Sequence, residues 1–362
     1  MNQVRPPALA SAFESQDERF AHPFALLSQG IRERGTPGAV LAITHFEKLV
    51  AWKAFGRFTY EEDSPAVQPE TVYDLASVTK AVVTTSMAML LYEAGELKLD
   101  IKVRDFFREF QDGGKSEVTV GMLLSHSSGL PAYEKLFLRC KTREELVGAA
   151  AAAPLAYTPG SRSEYSDLGF ILLGEILSRL TSMDLDSFFA KNISGLLGMS
   201  SAHFMPNSRN LIPPTQDDRE FRRRVIQGEV DDENASVMDG VAGHAGLFAN
   251  AYDLALFAGC LLREGAPILQ PQTVGLFTTR RSYPPGTSFA LGWDTPSQPS
   301  QSGRLLSARA FGHLGYTGTS LWIDPDKQLS ITLLTNRTWP DRQSQEIKKL
   351  RPAVHDAIVE AL

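Results

Sequence analysis

The chain has 362 residues, 43% hydrophobic and 22% charged, which is enough apolar material for a large core and for two lobes. A formal charge of −6 gives no basic surface on which nucleic acid or an anionic membrane would collect, so neither is expected as a partner. A small-molecule substrate is the partner that remains, and these numbers carry no information on oligomeric state.

The amino-terminal stretch MNQVRPPALASAFESQDERFAHPF interposes prolines and charges where a secretory signal needs about seven or more continuous apolar residues, so a cytoplasmic chain is expected. No window approaches the roughly eighteen uninterrupted apolar residues of a membrane span. Residues 38–58, GAVLAITHFEKLVAWKAFGRF, alternate in two runs around HFEK and predict an antiparallel hairpin. Residues 74–91, DLASVTKAVVTTSMAMLL, read as a buried helix whose first turn carries Ser77 and, three positions on, Lys80. On a helix that spacing puts hydroxyl and amine side by side. The apolar residues that follow supply the dry setting in which a lysine gives up its proton and can activate a serine. An S-x-x-K pair also arises as a helix cap with a snorkelling lysine, so partners are needed.

Apolar residues at three- and four-residue spacing make the middle mainly helical: VTVGMLLS, TREELVGAAAAA, LGFILLGEILSRLT and AYDLALFAGCLLREG. Cys140 and Cys260 lie in such helical patterns and are expected as reduced, buried thiols. YTPGSRSEYSDLGF puts Tyr165, Ser166 and Asp167 at a helix entrance, where a phenol near the lysine can pass protons. His126, in LLSHSSGL, reads as structural. His244, in AGHAG, sits in a glycine-rich loop of the kind that folds near a ligand. Residues 213–236 are polar and charge-rich and predict a long surface excursion. Its end, DDENAS, lacks the spaced ligands and glycine of an EF-hand loop and reads as rim.

FGHLGYTGTSLWIDP brings His313, Gly315 and Gly318 to the start of a strand, where glycines permit close backbone approach. Residues 320–337 predict a second hairpin around DPDK, and EIKKLRPAVHDAIVEAL an amphipathic helix interrupted by Pro352. The expected architecture is α+β: a central antiparallel sheet flanked by helices, built from residues 1–80 and 266–362. A mainly helical lobe of residues 81–265 is inserted, with a cleft between the two.

Taken in order, GTPGAVLAI, DLASVTKAVV, MLLSHSSGLP, YTPGSRSEYSDLGF, GVAGHAGLFANAYDLALFA, GHLGYTGTSLWIDP and LLTNR resemble the serine hydrolases of the penicillin-binding protein and β-lactamase superfamily. The similar branch holds class C β-lactamases, D-alanyl-D-amino acid peptidases and related esterases. The resemblance implies a β-lactamase/transpeptidase-like fold, Ser77 as acylated nucleophile and Lys80 as the group sharing its proton. It implies Tyr165 as base in acylation and activator of water in deacylation, and His313 to Gly315 as the third motif. The backbone N–H groups of Ser77 and Tyr316 are then the oxyanion hole, and no metal or organic cofactor is expected.

Two residues depart from the class C pattern: Asp167 stands where asparagine is usual, and His313 where lysine is usual. A carboxylate beside Lys80 favours its charged form. A neutral histidine pulls less on the carboxylate that penicillins and D-alanyl peptides carry. Arg337 resembles a carboxylate-engaging arginine and counts on the other side. The expected function is an esterase or amidase acting on small acyl substrates through an acyl-enzyme. The alternatives are a D-alanyl-D-alanine carboxypeptidase or muropeptide hydrolase with weak β-lactamase activity, and a non-catalytic binder of the same fold.

Overall fold

In the computed structural model of the chain, residues 8–362 are described; the first seven residues of the amino-terminal stretch read above lie outside them. The strands in chain order are β1 (Ala10–Ser11), β2 (Gly38–His45), β3 (Lys48–Gly56), β4 (Tyr73–Asp74), β5 (His203–Phe204) and β6 (Gln216–Asp218). They continue with β7 (Arg224–Ile226), β8 (Leu247–Ala249), β9 (Phe311–Leu314), β10 (Ser320–Asp324) and β11 (Leu329–Thr335). The main sheet has the order β1-β3-β2-β11-β10-β9, so the two predicted hairpins lie side by side through antiparallel pairing of β2 with β11. β1 runs parallel to β3, which makes one edge of the antiparallel sheet mixed.

Seven of the eight residues of β2 are buried, because both of its faces are covered. Ala39, Leu41 and Ile43 join Phe20, Phe24, Leu27, Val354 and Ile358 in one apolar cluster, under the helices Ala21–Arg32 and Ile347–Glu360. Val40 and Ala42 point the other way, into the larger core that includes Leu254, Ala258 and Leu261 of the helix Ala251–Leu262. The closing helix runs through Pro352 without ending there.

Three local readings are revised. Lys80–Thr85 winds as a π-helical turn before the α-helix Ser86–Glu93, a wider winding that residue spacing does not announce. VTVGMLLS contributes only the five-residue helix Val120–Leu124. Residues 213–236 are not a mere excursion: they form the β6–β7 hairpin and the helix Glu233–Val237, with Asp218, Asp231 and Asn234 buried. Their charges are held inside by partners, which composition cannot reveal. Both cysteines are free and buried. Among the described residues no helix is long and apolar enough to cross a membrane.

Candidate active site

Ser77 follows β4 on a tight turn whose preceding residue, Ala76, has φ +46°, a left-handed conformation that costs a non-glycine residue of order 1 kcal/mol or more. The turn is held by Asp74, whose Oδ1 accepts the Ala76 N–H at 2.8 Å. Lys80, one turn on, is fully buried. Its Nζ lies 3.0 Å from Ser77 Oγ, 2.9 Å from the His244 carbonyl and 2.6 Å from Asp167 Oδ1. Three acceptors thus surround a buried amine, with the Tyr165 and Phe170 rings 4.9 and 5.8 Å away. Burial pushes the Lys80 pKa down, and the Asp167 carboxylate opposes that shift. A neutral amine can donate to His244 O and Asp167 while its lone pair faces the Ser77 hydroxyl, so the cage suits both protonation states.

Tyr165 enters from the loop before the helix Asp167–Thr181, which Ser166 caps by accepting the Gly169 N–H at 3.1 Å. Its hydroxyl lies 2.7 Å from Ser77 Oγ and 3.1 Å from Asp167 Oδ1. Burial and the Asp167 charge push the phenol well above its usual pKa, so it keeps its proton at rest. That disagrees with a standing base at this position and fits a relay. His126 is buried with its ring 4.8 Å from that of Tyr165, and its Nδ1 accepts the Ser166 N–H at 3.1 Å. Burial first, then Lys80, pushes its pKa well down, so it is a neutral brace, as expected for a structural histidine.

The outer strand β9 carries His313, whose Nδ1 lies 2.8 Å from the Leu314 carbonyl. A carbonyl only accepts, so Nδ1 bears the hydrogen and Nε2 is left as an acceptor. Nε2 makes no protein hydrogen bond and is not sealed from solvent. Burial and Lys80 push this imidazole down to about 3, which keeps it neutral. Beyond it, a Cβ on Gly315 would collide with Thr319 and with the Leu75 carbonyl, so only glycine lets this segment lie against the nucleophile strand. Thr317 and Thr319 donate to the carbonyls of Asp74 and Leu75 at 2.8 and 3.1 Å. Among the described residues, neither the Ser77 N–H nor the Tyr316 N–H donates to a protein acceptor.

Arg337 is turned away from the role its position suggested. Its guanidinium donates to the carbonyls of Tyr316 at 2.7 Å and Ser344 at 3.1 Å, and it stacks under the Tyr316 ring at 4.4 Å. Only 5% of Arg337 is exposed, so it supports the Tyr316 segment.

Sequence reading missed Asp232. One of its oxygens accepts both the Ala235 N–H at 2.7 Å and the His244 ring Nε2–H at 2.8 Å, which fixes the loop that offers the His244 carbonyl to Lys80. Thr84 holds the same loop through the Gly243 carbonyl at 2.7 Å. A carbonyl acceptor has no side-chain signature, and Asp232 lies far from Lys80 in sequence. DDENAS as rim was the only available signal.

A serine, a buried lysine and a phenol gathered beside the outer strand of an α+β sheet define a hydrolase of the β-lactamase type. The chain belongs to the Beta-lactamase family, whose family model its residues 24–354 match. It is 33% identical over 344 residues to the N-acetylmuramyl-L-alanine amidase of Bacillus subtilis (strain 168), covering 84% of this chain and 78% of that one. It is 31% identical over 382 residues to a Salmonella typhimurium protein named "Putative D-alanyl-D-alanine carboxypeptidase", covering 92% and 87%. Among solved structures, EstCE1, "a hydrolase with promiscuous acyltransferase activity", superposes with TM-score 0.75 at 22% identity, covering 95% of this chain and 99% of that one. A penicillin-binding protein homolog from Caulobacter crescentus gives TM-score 0.73 at 22% identity, covering 97% and 99%; at such identity both attest the fold alone.

Proposed function

We propose that the protein hydrolyses amides or esters of small, uncharged acyl compounds through an acyl-enzyme on Ser77. The observation that carries this reading is one oxygen shared by two groups: Ser77 Oγ lies 3.0 Å from Lys80 Nζ and 2.7 Å from the Tyr165 hydroxyl. In acylation, Ser77 Oγ bonds to the substrate carbonyl carbon while its proton passes to neutral Lys80. Tyr165 gives its own proton to the departing nitrogen or oxygen and is refilled from Lys80. The developing oxyanion meets the unengaged N–H groups of Ser77 and Tyr316. Water then attacks the acyl carbonyl, losing its proton along the same path, and Ser77 is restored.

The choice of substrate follows from charge. His313 offers a neutral acceptor, and Arg337 is committed to carbonyls of its own chain. Arg342 is paired with Asp231 and Glu233. A group that donates a hydrogen bond, an amide N–H or a hydroxyl, fits beside His313 better than a carboxylate does. The similarity to the Bacillus amidase supports an amide as the scissile bond. The similarity to the Salmonella protein supports a second reading, carboxypeptidase action on a D-alanyl terminus, which needs a cation for the terminal carboxylate. The reading carries with it a sheet lobe of residues 1–80 and 266–362 and a helical lobe of 81–265, with substrate between them. Main-sheet strands drawn only from residues 10–56 and 311–335 support that division.

A short-chain p-nitrophenyl ester, a neutral N-acyl amide, a chromogenic cephalosporin and a D-alanyl-D-alanine peptide separate these readings. Turnover is expected on the first two and little on the others. Equal turnover of the carboxylate-bearing pair would remove the preference for uncharged substrates. Ser77→Ala is expected to lose at least about a thousandfold in kcat at unchanged Tm, consistent with loss of a catalytic nucleophile. A variant near the wild-type rate would place the nucleophile elsewhere.

A further inference from the structure

Asp74 takes no part in the chemistry proposed above, yet it is where three segments of the site meet. Its Oδ1 accepts the Ala76 N–H at 2.8 Å, and its Oδ2 accepts the Asp231 N–H at 2.6 Å. Its carbonyl accepts the Thr317 hydroxyl at 2.8 Å, from the turn that joins β9 to β10. The carboxyl is buried, so no water replaces these contacts.

The contacts close on themselves. From Ser77 the path runs to Lys80, then to the His244 carbonyl, through the His244 ring to Asp232 and along the backbone to Asp231. It returns through Asp74 to Ala76 and the nucleophile. Each join between separate segments is a single hydrogen bond of 3.0 Å or less. Cutting the ring at Asp74 therefore removes the side-chain tie between the strained turn that aims Ser77 and the segment that leads to the acceptor of Lys80, while Thr84 still holds that loop at Gly243.

We propose that Asp74 is a positioning residue for the Ser77 reaction, tying the nucleophile turn to the 231–244 segment so that hydroxyl and amine are held in one alignment. This rests on the reading of Ser77 as nucleophile. The tie works fully when both oxygens of Asp74 accept, that is, when the carboxylate is ionised. A protonated carboxyl keeps one full acceptor, but its hydroxyl oxygen accepts more weakly than a carboxylate oxygen, so one of the two bonds is weakened.

The charges around it set where this happens. Asp231 and Asp232 face Asp74 from the rim, and Arg342 and Arg222 bind Asp231 from outside. Burial, with Asp231 next, pushes Asp74 up to about 7, so activity rises with pH through that value.

The test uses the full chain. kcat and KM for p-nitrophenyl butyrate are measured from pH 5 to 9, alongside labelling of Ser77 by a fluorophosphonate, read as a mass shift on its peptide. Asp74→Asn keeps the shape and turns one acceptor into a donor. It is expected to lower kcat about tenfold or more at pH 8 with KM within about twofold, and to lack the inflection near pH 7. Asp231→Asn removes the facing charge and keeps the N–H, and is expected to move that inflection to lower pH in a chain whose Asp74 is intact. Wild-type kinetics in Asp74→Asn, or an unmoved inflection in Asp231→Asn, overturns the tie while Ser77 labelling stands. An unlabelled Ser77 in the native chain removes the nucleophile reading and the tie together.

Discussion

Lys80 is the residue on which the site turns, and its pKa is a contest between burial and Asp167. A carboxylate 2.6 Å from the amine would alone hold it charged, and complete burial works the other way. Asp167→Asn keeps an oxygen for Lys80 and Tyr165 and removes the charge, so burial is then opposed only by the weaker pull of Asp232. The limb of kcat/KM that tracks deprotonation of Lys80 is expected to move to lower pH. The Asp74→Asn chain, free of the inflection near pH 7, is the background in which to read it. An unmoved limb would mean that Lys80 is not the titrating base. Asp74 carries a stability counterpart of its activity effect. Its folded pKa, about 7, lies above its ordinary 3.8, so its contribution is fully present below that lower value and is lost as pH rises through 7. The ionisation that aligns the site therefore costs stability, and thermal scans from pH 4 to 8 are expected to slope less for Asp74→Asn than for the native chain.

Elements differ in how openly the sequence declares them. The hairpins of β2–β3 and β10–β11 are legible as short β-rich apolar runs around polar turns, and the helices Arg143–Ala152, Asp167–Thr181 and Ala251–Leu262 as apolar residues at three- and four-residue spacing. Ser77, Lys80 and Tyr165 are legible for a related reason: the first two are one helical turn apart, and the third marks a helix entrance. The π-helical turn at Lys80–Thr85, the Asp232 cap and the tie at Asp74 are not, since each depends on a partner about a hundred or more residues away or on a backbone group without a side-chain signature. Glycines show the same divide. Gly148 sits in a helix with open space around it, and Gly148→Ala is expected to stabilise by about 1 kcal/mol through helix propensity alone. Gly243 instead packs its backbone against Gly174 and the Phe170 carbonyl, where a methyl would meet main chain that cannot yield. Gly243→Ala is expected to destabilise by about 1–3 kcal/mol and to lower Tm by several degrees. Because His244 follows directly, kcat should fall as well. Calorimetry on the two variants checks the opposite signs, and equal shifts would contradict the packing described.

On the scale of the whole molecule, the site is assembled from segments that start at residue 74 and end past residue 313, and the last helix reaches back to it. Arg351, 5% exposed, donates to the carbonyls of Gly318 at 3.4 Å and Thr319 at 3.1 Å and to Gln301 Oε1 at 3.0 Å. It has no acidic partner among the described residues, and burial, followed by the nearby Arg337 charge, lowers its pKa to about 10. A buried cation without a carboxylate is costly, so it adds little net stability beyond its hydrogen bonds. What it supplies is a fixed course for the loop just after Tyr316, whose N–H is assigned above to the oxyanion. Arg351→Met fills the same volume without charge. The lost bonds and the relieved burial offset one another, so Tm is expected to change by only a few degrees. The loop loses its anchor, and kcat is expected to fall about tenfold, a barrier change of about 1.4 kcal/mol. Labelling of Ser77 by a fluorophosphonate should slow in proportion, since it passes through the same oxyanion. A large drop in Tm with unchanged kcat would make Arg351 a pillar of the fold alone and would detach the closing helix from the chemistry.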